Sequence, residues 1–266
     1  MRTTIIMNAK GGVGKTVTAI NMAAELAARG KRVVCIDADP QCNLSQFFLP
    51  NFLGGEIIDG GTLYTVLTSA DAPYSVDNIL HLTQLENVKI LLGSANLVLA
   101  DVRAIKEGSI NLDAIRDLVT AMAEDDICDY VLIDSPPNFS AAVTAGLAAS
   151  DDVIVPIKLD SFSVSGVEEM MRQIQGMREI NPRLKVAGVL ITQFDGTTVA
   201  RETVNALRES AVPIFRSAIR RTTAVDRSTF DRLPLREEKG TYAKFAADEY
   251  ADVVTEYLGG GAKNVF

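Results

Sequence analysis

The sequence predicts an α/β fold in which one mostly parallel, twisted sheet carries helices on both faces. Three observations lead there. Short β-branched runs alternate with helical patterns almost from end to end, the order that right-handed crossovers require. The run Val153-Ile154-Val155-Pro156-Ile157 has no polar alternation, as expected of a strand covered on both faces. The chain has 266 residues, 47% hydrophobic and 23% charged, enough for one ordinary α/β domain and too apolar for a disordered chain.

The elements follow in order. Residues 3–8 read as the first buried strand, then a glycine-rich turn, then a helix over about 16–29 that Gly30 is placed to end. Residues 32–37 (RVVCID) form the second strand. Residues 51–77, with glycine pairs at 54–55 and 60–61, read as an excursion from the sheet, helical around 63–67. Residues 88–92, 130–134, 153–157 and 186–192 supply further strands, with helical stretches between. The last helix, over 241–258, places Tyr242, Ala246, Tyr250, Val253 and Tyr257 on one side. Its other side carries Lys244, Asp248, Glu249, Asp252 and Glu256, so it is an amphipathic helix packed on the core. One domain is expected over 1–258, with a flexible tail over 259–266.

Composition removes several classes. No run of about 18 apolar residues is present, so no transmembrane helix is expected. The first residues lack the apolar stretch and cleavage site of a signal peptide. Cys35, Cys42 and Cys128 show no metal-ligand spacing, and a reduced, cytoplasmic protein is expected. The single histidine, His81, excludes a multi-histidine zinc site and is read as structural or exposed. The net charge of −8 argues against a uniformly nucleic-acid-binding surface. From residue 201 to 244, however, ten basic residues face six acidic ones.

The chemistry concentrates in Lys10-Gly11-Gly12-Val13-Gly14-Lys15-Thr16, directly after a strand and opening a helix. Ala9 stands where the pattern G-x-x-x-x-G-K-[ST] has its first glycine, but Gly14-Lys15-Thr16 matches its end. Glycines let backbone N–H groups close around phosphate oxygens, and the helix aims its positive end at the same anion. Lys15 would neutralise the β/γ-phosphates, and the Thr16 hydroxyl is placed to ligate Mg²⁺. Val17 follows, offering its backbone N–H.

A lysine at the loop opening is unusual. KGGVGKT resembles the deviant-Walker group of P-loop ATPases, which includes the ParA-type DNA-partition ATPases, MinD and the nitrogenase iron protein. The resemblance implies a single-domain P-loop NTPase that binds ATP with Mg²⁺ and forms an ATP-sandwich homodimer. There Lys10 would reach the partner's phosphates in trans, with the logic of an arginine finger. Residues 36–43 (IDADPQCN) look like the family's D-x-D-P-Q-x-N switch. By that likeness Asp39 organises the attacking water and the Mg²⁺ shell, with Asp37 and Asn43 in support. Residues 130–137 (YVLIDSPP) look like its Walker B strand, with Asp134 holding Mg²⁺ through water. Many relatives have a second threonine where this chain has Val17. Residues 214–217 (IFRS) stand where ParA-type chains often read I-P-R-N, which implies Phe215 and Ser217 as base contacts.

The surroundings select among these relatives. No cysteine matches the positions that an iron–sulfur cluster would need. The C-terminal helix is acidic where a MinD-like membrane helix would be basic, so no membrane contact is expected. Residues 215–223 resemble the family's I-R-x-S/T stretch, whose arginines meet DNA phosphates, although residues 224–228 depart from the E-A-P-S-like segment that follows. That likeness implies Arg220 and Arg221 as DNA contacts, with Arg201, Arg208 and Arg216 behind them. The chain begins almost at the phosphate loop, so operator-specific autoregulation through an N-terminal helix-turn-helix is not expected. The reading is a weakly active, nucleoid-associated partition ATPase. It would bind non-specific double-stranded DNA as an ATP dimer, stimulated by a ParB-like centromere-binding protein. The alternative is an ATPase that positions a protein cargo, a microcompartment or chemoreceptor array, by the same switch.

Overall fold

Successive side chains of the central strands enter opposite cores, so each strand must be apolar at nearly every position. The computed structural model describes residues 1–52, 61–69, 75–107, 111–160, 163–209 and 212–262. Its strands are β1 (Arg2–Ile6), β2 (Val33–Asp37), β3 (Leu80–Leu82), β4 (Val88–Leu91), β5 (Tyr130–Asp134), β6 (Asp152–Lys158) and β7 (Lys185–Thr192). They form one seven-stranded sheet in the order β3-β4-β2-β5-β1-β6-β7, parallel except where β3 pairs with β4. Ile5, Val131 and Ile133 point into one apolar cluster, while Ile6, Leu132 and Ile154 point into the other. Both faces are therefore covered, as the unalternating runs require.

The helices are α1 (Lys15–Ala27), α2 (Asn43–Phe48), α3 (Leu63–Thr68), α4 (Val76–Ile79), α5 (Leu97–Glu107) and α6 (Ala114–Glu124). They continue with α7 (Ala141–Ala149), α8 (Ser163–Met177), α9 (Thr198–Glu209), α10 (Thr223–Asp231) and α11 (Thr241–Leu258). Helices α6, α7 and α8 pack on one face, through residues such as Leu118, Val143 and Met170. Helices α1 and α11 cover the other through Ile20, Leu26, Tyr250 and Val253. The excursion at 51–77 contains α3 as expected, while residues 53–60 and 70–74 lie outside the described residues.

Three details differ from the sequence reading. Strand β3 was not foreseen, because three residues are too few for a period-2 pattern to show. It carries His81 opposite Ile90 at the sheet edge. On α11, Ala246, Tyr250, Val253 and Tyr257 are buried, but Tyr242 in the first turn is 68% exposed. The apolar stripe extends past the surface it packs against. The expected tail is anchored at its start: Gly261 is buried and the Ala262 N–H donates to the Ala187 carbonyl at 2.6 Å. Residues 263–266 lie outside the described residues.

The three cysteines are buried and unpaired. Burial pushes the Cys42 thiol up to about 12 and the Cys128 thiol up to about 11, so neither presents a thiolate at neutral pH.

Candidate nucleotide site

The site lies at the carboxyl ends of β1, β2, β5 and β7, where open α/β sheets place their ligands. Beyond β1 the chain cannot continue straight into α1. Gly12 and Gly14 turn it with φ of 72° and 85°, and Gly14 is the N-cap of α1 with no side chain bonded across the helix end. The first-turn N–H groups of α1 are therefore available to an anion. Strand β7 holds the loop from behind: Thr192 Oγ1 donates to the Val13 carbonyl at 2.8 Å, and Gln193 Nε2 donates to the Gly12 carbonyl at 2.6 Å.

Lys15 is 7% exposed, and its ammonium donates back to the Lys10 carbonyl at 3.2 Å. Burial lowers its pKa, while Asp134 and Asp39 pull the other way. Thr16 Oγ1 donates to Asp134 Oδ2 at 2.7 Å. Asp134 is fully buried at the end of β5, and its Oδ1 has no hydrogen-bond partner. Burial raises its pKa well above the carboxylate range, and the neighbouring Asp37, paired with it in the sheet register, adds to the rise. An orphaned buried carboxylate oxygen beside a hydroxyl fits a hard divalent cation, which prefers oxygen donors. The chemistry of the donor set therefore suits Mg²⁺ with phosphate.

The switch segment at 36–43 divides its two carboxylates. Asp37 turns inward: its Oδ2 accepts from the Ser45 N–H at 2.8 Å and hydroxyl at 2.7 Å, and its Oδ1 accepts from the Asp39 N–H at 3.2 Å. Burial raises it to about 6 despite these bonds. Asp39 accepts from the Gln41 N–H at 2.9 Å and faces the cleft, as does Asn43. Asp37 thus fixes the turn that aims Asp39.

Lys15, Thr16, Asp39 and Asn43 line a cleft of about 920 Å³, and Asp37 and Asp134 are buried behind it. Gly11, Gly12, Gly14, Lys15, Thr16 and Val17 form one end, with Asp39 beside them, and Ile219 to Thr223, Val225, Asp226 and Tyr250 form most of the far wall. Val13 is buried behind the loop. The expected base contacts are not on this wall. Phe215 is fully buried in the core, against Gly188, where an added Cβ would come within 2.6 Å of its ring. The Ser217 N–H is bonded to Glu256 at 3.1 Å. The short strand-like bridge of Ile214 to Val189 draws 214–215 under the sheet edge, and the chain reaches the cleft only five residues later. Sequence reasoning missed Thr192 and Gln193. The one available signal was their position ending a strand at the ligand-binding edge.

Lys10 has its ammonium paired with Asp160, beyond β6, and its side chain is 52% exposed. Of the expected DNA contacts, Arg201 and Arg208 project from α9 and are exposed, and Arg208 donates to the carbonyl of the exposed Arg216 at 3.2 Å. Arg221 is exposed at the cleft rim. Arg220 is not free: its Nε and Nη2 lie 2.7 and 2.6 Å from Glu249 Oε1, and its N–H donates to Glu249 Oε2 at 2.9 Å.

A glycine loop between strand and helix, a cradled lysine, and a hydroxyl–carboxylate pair at the strand ends define a P-loop nucleotide hydrolase. Comparison with known proteins agrees. Residues 1–186 match the AAA domain family AAA_31. The chain is 37% identical over 197 residues to the chromosome partitioning protein ParA of Caulobacter vibrioides, covering 73% of this chain and 70% of that one. It is 33% identical over 207 residues to the chromosome-partitioning ATPase Soj of Thermus thermophilus, covering 77% and 75%. Among solved structures, cobyrinic acid a,c-diamide synthase of Mycobacterium smegmatis, with ATP analog and magnesium bound, superposes with a TM-score of 0.77 at 26% identity, covering 99% and 98%. The chain belongs to the ParA-type P-loop partition ATPases. No helix among the described residues is long and apolar enough to cross a membrane.

Proposed function

We propose that the protein binds ATP with Mg²⁺ in this cleft, closes as an ATP-sandwich homodimer, and in that state binds double-stranded DNA without sequence preference. Hydrolysis is slow until a ParB-like centromere-binding partner stimulates it. The observation that carries the reading is the convergence of Lys15, Thr16 and Asp39 on one cleft, with the buried Asp134 directly behind and bonded to Thr16, in a chain of the ParA type.

In this reading the N–H groups of residues 11–17 hold the phosphates, and Lys15 neutralises their β/γ oxygens. Thr16, Asp39 and Asp134 would hold Mg²⁺, which would supply neutralisation of phosphate charge. Asp39 orients the attacking water. Lys10 exchanges its pairing with Asp160 for the partner's phosphates, so Lys10→Ala is expected to bind ATP and yet fail to form a productive dimer. The exposed Arg201, Arg208, Arg216 and Arg221 supply phosphate contacts that position DNA without reading bases.

Anisotropy on random duplex DNA, in ATP or ADP over a salt series, tests the DNA step. Binding should require ATP, and its log affinity should fall with log salt by about 0.9 per phosphate contact. Equal, weak binding in both nucleotides overturns the DNA step and leaves the ATPase standing. Proteins retained by Asp39→Ala in ATP then identify the partner: a centromere-binding protein supports partition, and a cargo scaffold supports the positioning alternative.

A further inference from the structure

We infer that Arg220 is a base-stacking residue of the nucleotide cleft, and that Glu249 and Phe245 hold its guanidinium flat for that purpose. The inference rests on the ATP-binding reading and adds the group that receives the purine. The phosphate loop fixes one end of the ligand, so the base and ribose must lie along the remaining wall. That wall is Ile219 to Thr223 with Asp226 and Tyr250, and neither Phe215 nor Ser217 reaches it.

Of the planar groups on this wall, Tyr250 is buried and Arg221 is exposed at the rim, whereas Arg220 is held from two sides. Glu249 takes its Nε, its Nη2 and its backbone N–H. The Phe245 ring lies under it, 4.8 Å from Cζ to the ring centroid. Phe245 faces a separate cleft, together with Glu25, Arg236 and Lys244, whereas Arg220 lines the nucleotide cleft. The phenyl ring therefore lies against the guanidinium carbon from one side, and one edge is used by the carboxylate. Since Phe245 belongs to the other cleft, the side of Arg220 away from the ring is the one assigned to the base. A guanidinium held in this way is a stacking platform, because it is planar, weakly hydrated and already ordered. Helix α11 carries both clamps, and its Tyr250 touches Thr18 of α1 at 3.3 Å, which ties the platform to the helix that begins at the phosphate loop. Glu249 thereby occupies the Nε edge, two of the five guanidinium N–H donors.

Calorimetric binding of ATP and of inorganic tripolyphosphate, each with Mg²⁺, separates a base contact from a phosphate contact. Arg220→Ala should weaken ATP about tenfold and leave tripolyphosphate within about twofold of the unaltered protein. Arg220→Lys should lose as much as alanine, since it keeps the charge and lacks the plane. At saturating ATP, the affinity of Arg220→Ala for random duplex DNA should be unchanged. Equal losses for both ligands, no loss for either, full recovery with lysine, or lost DNA binding with intact ATP binding would each overturn the assignment. If the unaltered protein bound neither ATP nor tripolyphosphate, the nucleotide reading itself would fall, a result distinct from these.

Discussion

The phosphate end of the cleft is written in seven consecutive residues, Lys10 to Thr16, and in carboxylates that end two neighbouring strands. Its other end is assembled from Ile219 to Thr223, Asp226 and Tyr250, contributed by a loop, α10 and α11. The two ends meet different physical demands. Wrapping an anion with backbone N–H groups needs left-handed turns at Gly12 and Gly14 and a helix start in one fixed order, so the solution must be local in sequence. Receiving a flat apolar base needs only a surface of the right shape, which distant residues can supply in many combinations.

The sharpest way to break this contrast is Asp39→Ala. If Asp39 orients the attacking water, turnover should fall about 10² to 10⁴-fold while ATP-dependent dimerisation persists, read by phosphate release and by light scattering. A normal rate would remove the carboxylate from the phosphate end. Lys15→Ala should weaken ATP by about 100-fold or more, since it takes away a buried, charge-assisted donor. Titration with a fluorescent ATP analogue measures this, and retained affinity would mean that the loop alone binds the phosphates.

The next test lies at the other end. Phe215→Ala empties a fully buried site and should lower unfolding stability by about 3–5 kcal/mol, while the folded protein keeps its ATP affinity. Denaturant unfolding paired with ATP titration checks it. A loss of affinity without a loss of stability would return Phe215 to the base. Ser217→Ala is the smallest expected effect, within about 0.5 kcal/mol in stability and about twofold in ATP affinity, because only its backbone N–H is engaged by Glu256.

Much of the fold was readable beforehand. The apolar runs at 130–134 and 153–157 could be nothing but covered strands, and α11 was found to its ends because its tyrosine and alanine stripe fits one helical face. Strand β3 escaped because three residues show no period. Asp37 and Asp39 stand in one short motif, and the resemblance gave Asp39 the attacking water and Asp37 a supporting place without saying how it supports. In the fold, one turns inward to Ser45 and is raised to about 6, and the other faces the cleft. Likewise Arg220 and Arg221 looked like equivalent DNA contacts until Glu249 claimed one of them.

The sequence by itself determined six of the seven strands, the phosphate loop and the chemistry that such a loop performs, because each depends on residues adjacent along the chain. Tertiary structure alone decided which loop forms the far wall of the cleft, which arginines remain free, and where the Lys10 ammonium rests. Those outcomes follow from pairings across more than twenty residues, such as Arg220 with Glu249 and Lys10 with Asp160, whose partners no local pattern names. A charge is visible in the sequence, but its availability is settled only when the fold brings another charge beside it.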